Sequence, residues 1–344
     1  MSHTNSLTSN LPYVSIVIPA YNCASTIKKT IKALDAQDYP LSIQVIVVDD
    51  GSIDETRQVL TQFKHIEYIY QPNSGPAQAR NKGGHLARNE LIAFVDADCI
   101  PHSDWISKLI SAFSSENIGA VSGSYGIANP DSRLAACIHQ EIIYRHARFS
   151  SQDIHVFGSY NVCIPREVFI RAGGYDSRFR HASGEDNDLS YRIINMGYKI
   201  RFQPKAIVDH HHPHRVPQYL QEQYIHGYWR ARIYRIYPAM MRGDDYTFWK
   251  DIIEPIAVLF IAFTLMLTPI FGLSAFISGV LVLLALIFCE LVFAMKILTE
   301  MKNSLWFAGV MFLRSFYRTL GFLHGLLALW RPFIRENPLS DFSE

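Results

Sequence analysis

The sequence predicts an α/β domain, with a mostly parallel sheet flanked by helices, followed by a helical hairpin that spans a membrane. Two observations predict this arrangement. Short β-branched runs alternate with helix-like segments through residues 13–250, and residues 255–289 contain no Asp, Glu, Lys or Arg. Strands separated by one helix each are typical of βαβ units. An uncharged run of this length accommodates two helices that cross the hydrocarbon core of a bilayer.

Composition excludes several classes of protein. Hydrophobic residues make up 49% of the 344 residues and charged residues 18%, which is too apolar for a disordered chain. The formal net charge is +1, so the chain lacks the excess of positive charge that is typical of nucleic-acid-binding proteins. The five cysteines are scattered without a CxxC pair, which excludes a disulfide scaffold and suits a reducing compartment. Residues 1–12 are polar, and we expect a disordered N-terminus without a signal peptide.

The predicted elements place polar residues at one edge of the sheet. The predicted strands are 14–19, 44–48, 66–70 and 91–95, and the predicted helices between them are 26–34, 55–63 and 76–87. The carboxyl ends of parallel strands meet at the same edge, where ligands bind in such sheets. Tyr21, Asp49–Asp50 and Asp96–Asp98 follow three of these strands, so we expect the chemistry of the domain to lie there.

Two acidic motifs stand at strand ends. In Asp96-Ala97-Asp98, residues i and i+2 face the same side, so two carboxylates are presented together. Such a pair favours a hard cation such as Mg²⁺ or Mn²⁺, and phosphate oxygens would complete its coordination shell. A simple polar loop is the alternative for this motif. After the second strand, Gly51 allows a close turn and Asp50 can accept a hydrogen bond from a base N–H. An Asx turn is the alternative for this motif.

Three later segments carry further candidates. Arg80 lies near the first turns of a helix, where an arginine can bind a base or a diphosphate, and a surface arginine is the alternative. Glu185 and Asp186 begin another helix, and a paired carboxylate in a cleft is a candidate general base. His210, His211, His212 and His214 form a cluster. One of them beside Asp98 is a candidate metal ligand, and solvated loop histidines are the alternative.

Six motifs together resemble family 2 glycosyltransferases of the GT-A fold. The motifs are SIVIPAYN (15–22), VIVVDDGSIDET (45–56), NSGPAQARNKG (73–83), FVDADC (94–99), GGYDSRF (173–179) and GEDNDLSYR (184–192). The resemblance covers about residues 12–235 and implies a Rossmann-like GT-A domain at 13–250. It also implies an inverting, metal-dependent transfer of a sugar from a nucleoside diphosphate donor, such as a UDP-, GDP- or dTDP-sugar, to a hydroxyl group.

The resemblance implies donor-binding roles at the first four motifs. Pro19, Tyr21 and Asp50 would hold the nucleoside. Arg80 would also face the nucleoside, and Asp96 would contact the ribose.

The same resemblance implies the metal site and the base. Asp98 would bind Mn²⁺ or Mg²⁺ under the diphosphate, with His210 as a further ligand. Asp186 would deprotonate the acceptor hydroxyl, and Glu185 would orient Asp186. The segment 177–183 precedes this pair, and we expect it to order over the donor as a lid.

One departure from related enzymes bears on the product. Processive polysaccharide synthases carry a QxxRW motif after the base, whereas residues 221–232 read QEQYIHGYWRAR, with Trp229 before Arg230. We therefore expect transfer of one or a few sugars. Synthases that make polyprenyl-monophosphate sugars share the early motifs but usually lack a segment like GEDNDL (184–189). Its presence here therefore favours a sugar or other hydroxyl acceptor over a polyprenyl monophosphate.

The C-terminal third predicts a membrane anchor. We place a transmembrane hairpin at 251–298, with spans near 253–271 and 276–297. Lys and Arg flank the hairpin and are absent from its turn, so the positive-inside tendency puts the catalytic domain and the tail in the cytoplasm. We expect Glu290 to reach toward the membrane interface rather than to mark a functional site.

Residues 299–344 predict an interfacial helix and a cytoplasmic tail. Arg314 and Arg318 lie one helical turn apart within the apolar stretch 304–330, where a membrane span would bury two cations. An interfacial helix, with the arginines facing lipid phosphates or an anionic substrate, is the preferred interpretation, and a third span is the alternative.

These features together predict the acceptor. A catalytic domain tethered at the cytoplasmic membrane meets lipid-linked glycan acceptors at high effective concentration. A non-catalytic nucleotide-sugar-binding scaffold of a polysaccharide assembly complex is the alternative from another class. A nucleotidyltransferase would require a Gly-rich basic loop after the first strand, which PAYNCAST at 19–26 does not provide.

Overall fold

The computed structural model describes residues 11–149, 153–179, 184–242, 245–247 and 249–328. The chain divides into two compact units, residues 1–128 with 149–211 and residues 129–148 with 212–344. Most of the predicted N-terminal segment, part of the predicted lid at 177–183 and the predicted tail lie outside the described residues. The predicted domain limits at residues 250 and 298 stay predictions.

The two units contain nine strands and eleven α-helices among the described residues. The strands are β1 Val14–Ala20, β2 Gln44–Asp49, β3 Glu67–Tyr70, β4 Leu91–Val95, β5 Cys99–Pro101, β6 Ile118–Ile127, β7 Asp153–Ile154, β8 Asn161–Pro165 and β9 Lys199–His210. The helices are α1 Ile27–Asp35, α2 Thr56–Leu60, α3 Pro76–Leu86, α4 Trp105–Ser111, α5 Arg133–His146, α6 Arg166–Arg171, α7 Glu185–Asn195, α8 Val216–Ile236, α9 Trp249–Phe271, α10 Leu273–Ile297 and α11 Met301–Ala328.

The first unit is built on one mixed sheet in the order β3-β2-β1-β4-β8-β6-β9-β5, with β7 paired to β9. The strands β3, β2, β1 and β4 are parallel to one another. Strand β8 runs antiparallel to β4 and β6, whereas β6 and β9 are parallel. The α/β prediction is confirmed, and the four strands predicted from apolar runs are the parallel half of this sheet.

Helices cover both faces of the parallel half, which explains its continuous apolar runs. On one face Ile16 and Ile18 of β1 pack in the same cluster as Ile27 and Ile31 of α1. On the other face α3 approaches β1 closely, because a Cβ at Gly83 would lie 2.3 Å from a methyl carbon of Val17. Each of these fully buried aliphatic side chains stabilises the fold by about 1.5–3 kcal/mol. The packing fixes where the strand ends present their polar residues.

The second unit is helical, and its helices α8 and α11 pack directly against each other. Glycines make the approach possible, because a Cβ at Gly321 would lie 2.0 Å from the carbonyl oxygen of Tyr224. A Cβ at Gly325 would lie 2.3 Å from the carbonyl oxygen of Tyr228. The two backbones are therefore in contact, and any larger residue at these positions would force the helices apart.

The arginines of α11 face the protein. Arg314 is 1% exposed and donates to Glu141 of α5 at 2.7 Å and to the Tyr219 hydroxyl of α8 at 3.2 Å. Arg318 donates to Asp251 at 3.0 Å. The prediction that these arginines face lipid phosphates or a substrate is therefore wrong. Carboxylates on neighbouring helices pair with both cations, and these partners are distant in sequence.

Two of the described helices, α9 and α10, are long and apolar enough to cross a membrane. They overlap the predicted spans at 253–271 and 276–297. Glu290 does not reach toward an interface as predicted. Its side chain is fully buried, and its carboxylate lies 2.8 Å from the ammonium of Lys250, which also contacts Glu254. Glu290 stays inside the protein because Lys250 of α9 supplies the cation that compensates the charge of its carboxylate.

Candidate active site

The loop after β1 leaves an aromatic ring open to solvent. Asn22 adopts a left-handed backbone conformation with φ of 48°, and its side-chain oxygen accepts a hydrogen bond from the Ile53 N–H at 2.9 Å. The Asn22 N–H donates to the Ser52 hydroxyl at 3.0 Å. The loops after β1 and β2 are thus tied together. Tyr21 is 51% exposed between them, and Pro19 at the end of β1 is half-buried.

Asp50 follows β2 and holds the loop that leads into α3. Its carboxylate accepts hydrogen bonds from Gln71 Nε2 at 2.6 Å, from the Ser74 N–H at 2.9 Å and from the Gly75 N–H at 2.8 Å. Gly51 allows this approach, because it has a φ of 78° and a Cβ there would lie 2.7 Å from the Asn73 nitrogen. A carboxylate accepts about four hydrogen bonds, so capacity remains for a ligand N–H. The Gln71 contact was not predicted.

Arg80 lies between two carboxylates from different elements. Arg80 is 2% exposed, and its guanidinium donates to Asp96 Oδ1 after β4 at 2.7 Å and to Glu185 Oε1 of α7 at 3.0 Å. The ring of Tyr175 lies 5.6 Å from the guanidinium carbon, within cation–π range. The resemblance implies that Arg80 faces the nucleoside, and this role stays a prediction. In the structure both terminal nitrogens of its guanidinium donate to protein carboxylates, because these two side chains converge on it from the end of β4 and from α7.

The carboxylates that begin α7 lie in different surroundings. Gly184 precedes them with a φ of 100°, which turns the chain into the helix. Glu185 is buried against Arg80, whereas Asp186 is half-buried. Burial raises the pKa of Glu185 and that of Asp186. A carboxylate with a raised pKa is better matched to proton transfer near neutral pH than an ordinary Asp.

Asp98 and His210 form a candidate cation site. Asp98 Oδ2 lies 3.6 Å from His210 Nε2, and the side chains are 40% and 20% exposed. The ligand atoms of these two residues and of Cys99 lie within 4.8 Å of one another. Cys99 is buried, and its soft sulfur is a poor match for hard cations such as Mg²⁺ and Mn²⁺. One carboxylate oxygen and one imidazole nitrogen, from partly exposed side chains, fit Mn²⁺ or Mg²⁺ with remaining positions for phosphate oxygens.

The other histidines of the cluster occupy different places. His210 is brought to Asp98 because β9 pairs antiparallel with β5, which sets Cys99 opposite His210. His211 donates its backbone N–H to the Asp98 carbonyl at 3.4 Å. His212 belongs to the second unit, where it is buried and its ring lies 5.7 Å from that of His139. Sequence spacing alone could not single out His210 among them.

Aromatic residues near His210 were missed by the sequence interpretation. Tyr125 of β6 stacks on Tyr160 with ring centroids 3.7 Å apart and an angle of 11° between the planes. The ring of His210 meets that of Tyr125 edge-on at 5.3 Å. Nothing in the spacing of Tyr125 indicated Tyr160 as its partner, because the pairing of β6 with β8 brings the two together.

The comparison with known proteins decides the family. The family described as Glycosyl transferase family 2 matches residues 15–172. Glycosyltransferase AglE from Haloferax volcanii is 30% identical over 210 residues, which cover 59% of this chain and 68% of that protein. The chain belongs to glycosyltransferase family 2. Another relative, validoxylamine A glucosyltransferase from Streptomyces hygroscopicus subsp. jinggangensis, is 30% identical over 221 residues.

The chain spans 52% of that Streptomyces enzyme, so it matches about half of this relative's length. Among solved structures, the mannosyltransferase PcManGT from Pyrobaculum calidifontis, in complex with GDP-Man and Mn²⁺, superposes with a TM-score of 0.57. The alignment covers 92% of this chain and 88% of PcManGT, at 19% identity. Likeness at this identity shows the fold, and the predicted GT-A fold is confirmed.

The range matched by the family contains some of the candidate residues and not others. Asp50, Arg80 and Asp98 lie within the matched range 15–172, whereas Asp186 and His210 lie beyond it. The chain is a glycosyltransferase, and the prediction of an enzyme is confirmed over that of a non-catalytic scaffold. The roles of its individual residues remain predictions.

Proposed function

We propose that this enzyme transfers a sugar, with inversion, from a nucleoside diphosphate sugar to a hydroxyl of a lipid-linked glycan at the cytoplasmic face of the membrane. The observation that carries the proposal is the convergence at one sheet edge of Asp96, Asp98 and the Glu185–Asp186 pair. Donor-side carboxylates and a carboxylate with a raised pKa are the groups that such a transfer requires.

The donor nucleoside binds at the loops after β1 and β2. The exposed ring of Tyr21 offers a face on which a base stacks, beside Pro19. Asp50 accepts a base N–H at its remaining acceptor position. Asp96 keeps one oxygen for Arg80, and its side chain is 28% exposed, so its other oxygen accepts from a ribose hydroxyl.

A divalent cation fits the first unit at Asp98 and His210. Mn²⁺ or Mg²⁺ held there would neutralise the negative charge that develops on the departing diphosphate. The complex of PcManGT with GDP-Man and Mn²⁺ supports this choice of ion class, and the donor set of this chain fits it independently.

Asp186 acts as the general base. It takes the proton from the acceptor hydroxyl while that oxygen bonds to the anomeric carbon and the bond from the anomeric carbon to the diphosphate breaks. A base on the side of the sugar opposite the leaving group gives inversion in one displacement. Glu185 is buried against Arg80, which suits a role in holding Asp186.

The second unit anchors the enzyme in the membrane. Helices α9 and α10 expose apolar side chains along lengths sufficient to span a bilayer. On α11, Leu305, Leu313, Leu320 and Leu327 are exposed at intervals of seven or eight residues, which places them on one helix face. The arginines of α11 are turned to protein carboxylates, so the outward face is apolar. This face suits insertion at the boundary of headgroups and acyl chains.

A donor screen tests the proposal. Melting temperatures of the purified full-length protein would be measured with UDP-, GDP-, dTDP- and CMP-sugars, with and without Mn²⁺. We expect one diphosphate sugar to stabilise the protein in the presence of metal, by about 2.7 kcal/mol at a concentration of 100 Kd. Asp98→Ala should abolish the metal-dependent part, whereas Asp104→Ala on the surface of the same unit should not. Failure of every nucleotide to stabilise the folded protein would contradict the proposal.

Spin labels test the membrane face of α11. Cys289 is the exposed cysteine, so a Cys289→Ser background suits single labels at Leu313→Cys, Leu320→Cys and the exposed control Gln218→Cys. In phosphatidylcholine–phosphatidylglycerol vesicles, we expect labels on α11 to collide more with oxygen than with a water-soluble nickel complex, and the control to do the reverse. An apolar face buried about 5–10 Å below the headgroups has this signature. Equal accessibility at all three sites would contradict insertion.

A further inference from the structure

Arg80 joins two parts of the first unit that are far apart in sequence. Its carboxylate partners are 16 residues away, at Asp96, and 105 residues away, at Glu185. Asp96 follows β4 on the donor side of the site, and Glu185 is the first residue of α7, directly before Asp186. One guanidinium therefore connects the donor side of the site with the helix that carries the base.

Glu185 depends on this connection. Among the residues that the structure describes, its Oε1 accepts from Arg80, and its Oε2 is buried without a hydrogen-bond partner. The guanidinium is thus the polar contact that fixes the first side chain of α7. Losing a buried partner leaves a carboxylate that must take up a proton or turn toward water. In either case the contact that fixes the start of α7 is lost, and Asp186, the next residue, is free to move.

We infer that Arg80 is a positioning residue, which holds Asp186 in register with the donor by fixing Glu185 to Asp96. The inference rests on the proposed roles of Asp186 and Asp96, and it differs from a donor-binding role for Arg80. The planar fork of arginine is suited to this task, because its two amino groups bind two carboxylates in fixed directions. A lysine keeps the charge but presents a single ammonium, which does not reproduce that geometry.

Arg80→Lys is the first test, with Arg88→Lys as the matched control. Arg88 is an exposed arginine of the same unit, paired with Glu67. The measurements are the melting temperature, the Kd for the nucleoside diphosphate that stabilises most in the donor screen, and the kcat for its release from the corresponding sugar nucleotide. We expect Arg80→Lys to lower kcat about 10- to 100-fold, since small misplacements of reacting groups have effects of this size. Nucleotide Kd should stay within threefold, and Arg88→Lys should change neither.

Glu185→Gln is the second test, and it carries the inference if Arg80→Lys does not fold. It should lower kcat to a similar extent at unchanged nucleotide Kd. The double variant should lose no more than the more impaired single variant, because both residues act through one contact. Multiplied losses in the double variant would overturn the inference. A raised nucleotide Kd at unchanged kcat in Arg80→Lys would also overturn it, since that result assigns Arg80 to the donor.

Asp186→Asn separates this inference from the proposed function. If Asp186→Asn turns over normally, the assignment of the base is wrong and the proposed mechanism fails. If Asp186→Asn is inactive while Arg80→Lys and Glu185→Gln both keep wild-type kcat, the base assignment stands. In that case the positioning role of Arg80 alone is overturned.

Discussion

Asp186→Asn is expected to lower turnover by about 10²- to 10⁴-fold, the usual contribution of a general base. The amide keeps the size of the carboxylate but cannot take the acceptor proton. Nucleotide affinity should stay near the wild-type value, because Asp186 does not belong to the donor-binding loops. Measuring kcat for sugar transfer or donor cleavage, together with the Kd of the selected nucleoside diphosphate, checks both halves of this expectation.

Asp104→Asn provides the control for this change. Asp104 is an exposed carboxylate of the same unit, near Lys108, and its conversion to the amide should leave kcat unchanged. Wild-type turnover by Asp186→Asn would remove the base from the mechanism. A large rise in nucleotide Kd would place Asp186 in donor binding instead.

The pH dependence follows from the same residue. Burial raises the pKa of Asp186, and the base must be ionised to act. Turnover should therefore fall with decreasing pH through a pKa above about 3.9, the ordinary value of Asp. When the base has a raised pKa, the acidic limb of the pH–rate profile lies at higher pH than it would with an exposed carboxylate as the base. A limb at or below the ordinary Asp value would argue against Asp186 as the base.

The parallel half of the sheet was predictable because its information is local. Most of these strands are short apolar runs, and α1 has Ile27, Ile31 and Leu34 at helical spacing, so predicted limits such as 44–48 and 91–95 match β2 and β4 closely. The acidic motifs were predictable for the same reason, since they sit directly after these strands. Local pattern thus found the edge at which the candidate site lies.

The partners of buried charges were not predictable, because they are fixed by tertiary packing. Nothing near Arg80 in sequence indicates Glu185, which lies 105 residues away. Likewise, Arg314 looked like a cation on an exposed or interfacial helix, yet α5 supplies its carboxylate from 173 residues away. A single sequence records that a charge exists, whereas only the fold shows whether another charge compensates it.

The pair formed by Glu141 and Arg314 gives the largest stability prediction. Both oxygens of Glu141 accept from Arg314, at 2.7 and 3.0 Å, and Arg145 also donates to Glu141 at 2.7 Å. Glu141→Gln would leave the buried guanidinium of Arg314 without its compensating charge. Removing one partner of a buried pair costs about 3–5 kcal/mol. We therefore expect the detergent-solubilised protein to melt about 5–10 °C lower than the wild type. Glu300→Gln, an exposed change in the same unit, is the control.

The double variant Glu141→Gln/Arg314→Met shows whether the loss arises from the stranded charge. Replacing both partners of a buried pair is often nearly neutral, so the double variant should recover most of the lost melting temperature. Burial alone would raise the pKa of Glu141, but Arg314 and Arg145 lower it to about 2. A lowered pKa contributes stability above the unfolded value of about 4.3, and this contribution is lost as pH falls toward 2. Glu141→Gln should remove that part of the acid sensitivity. Additive destabilisation in the double variant would mean that Arg314 is stabilised by other groups, and that α11 is not held to α5 by this pair.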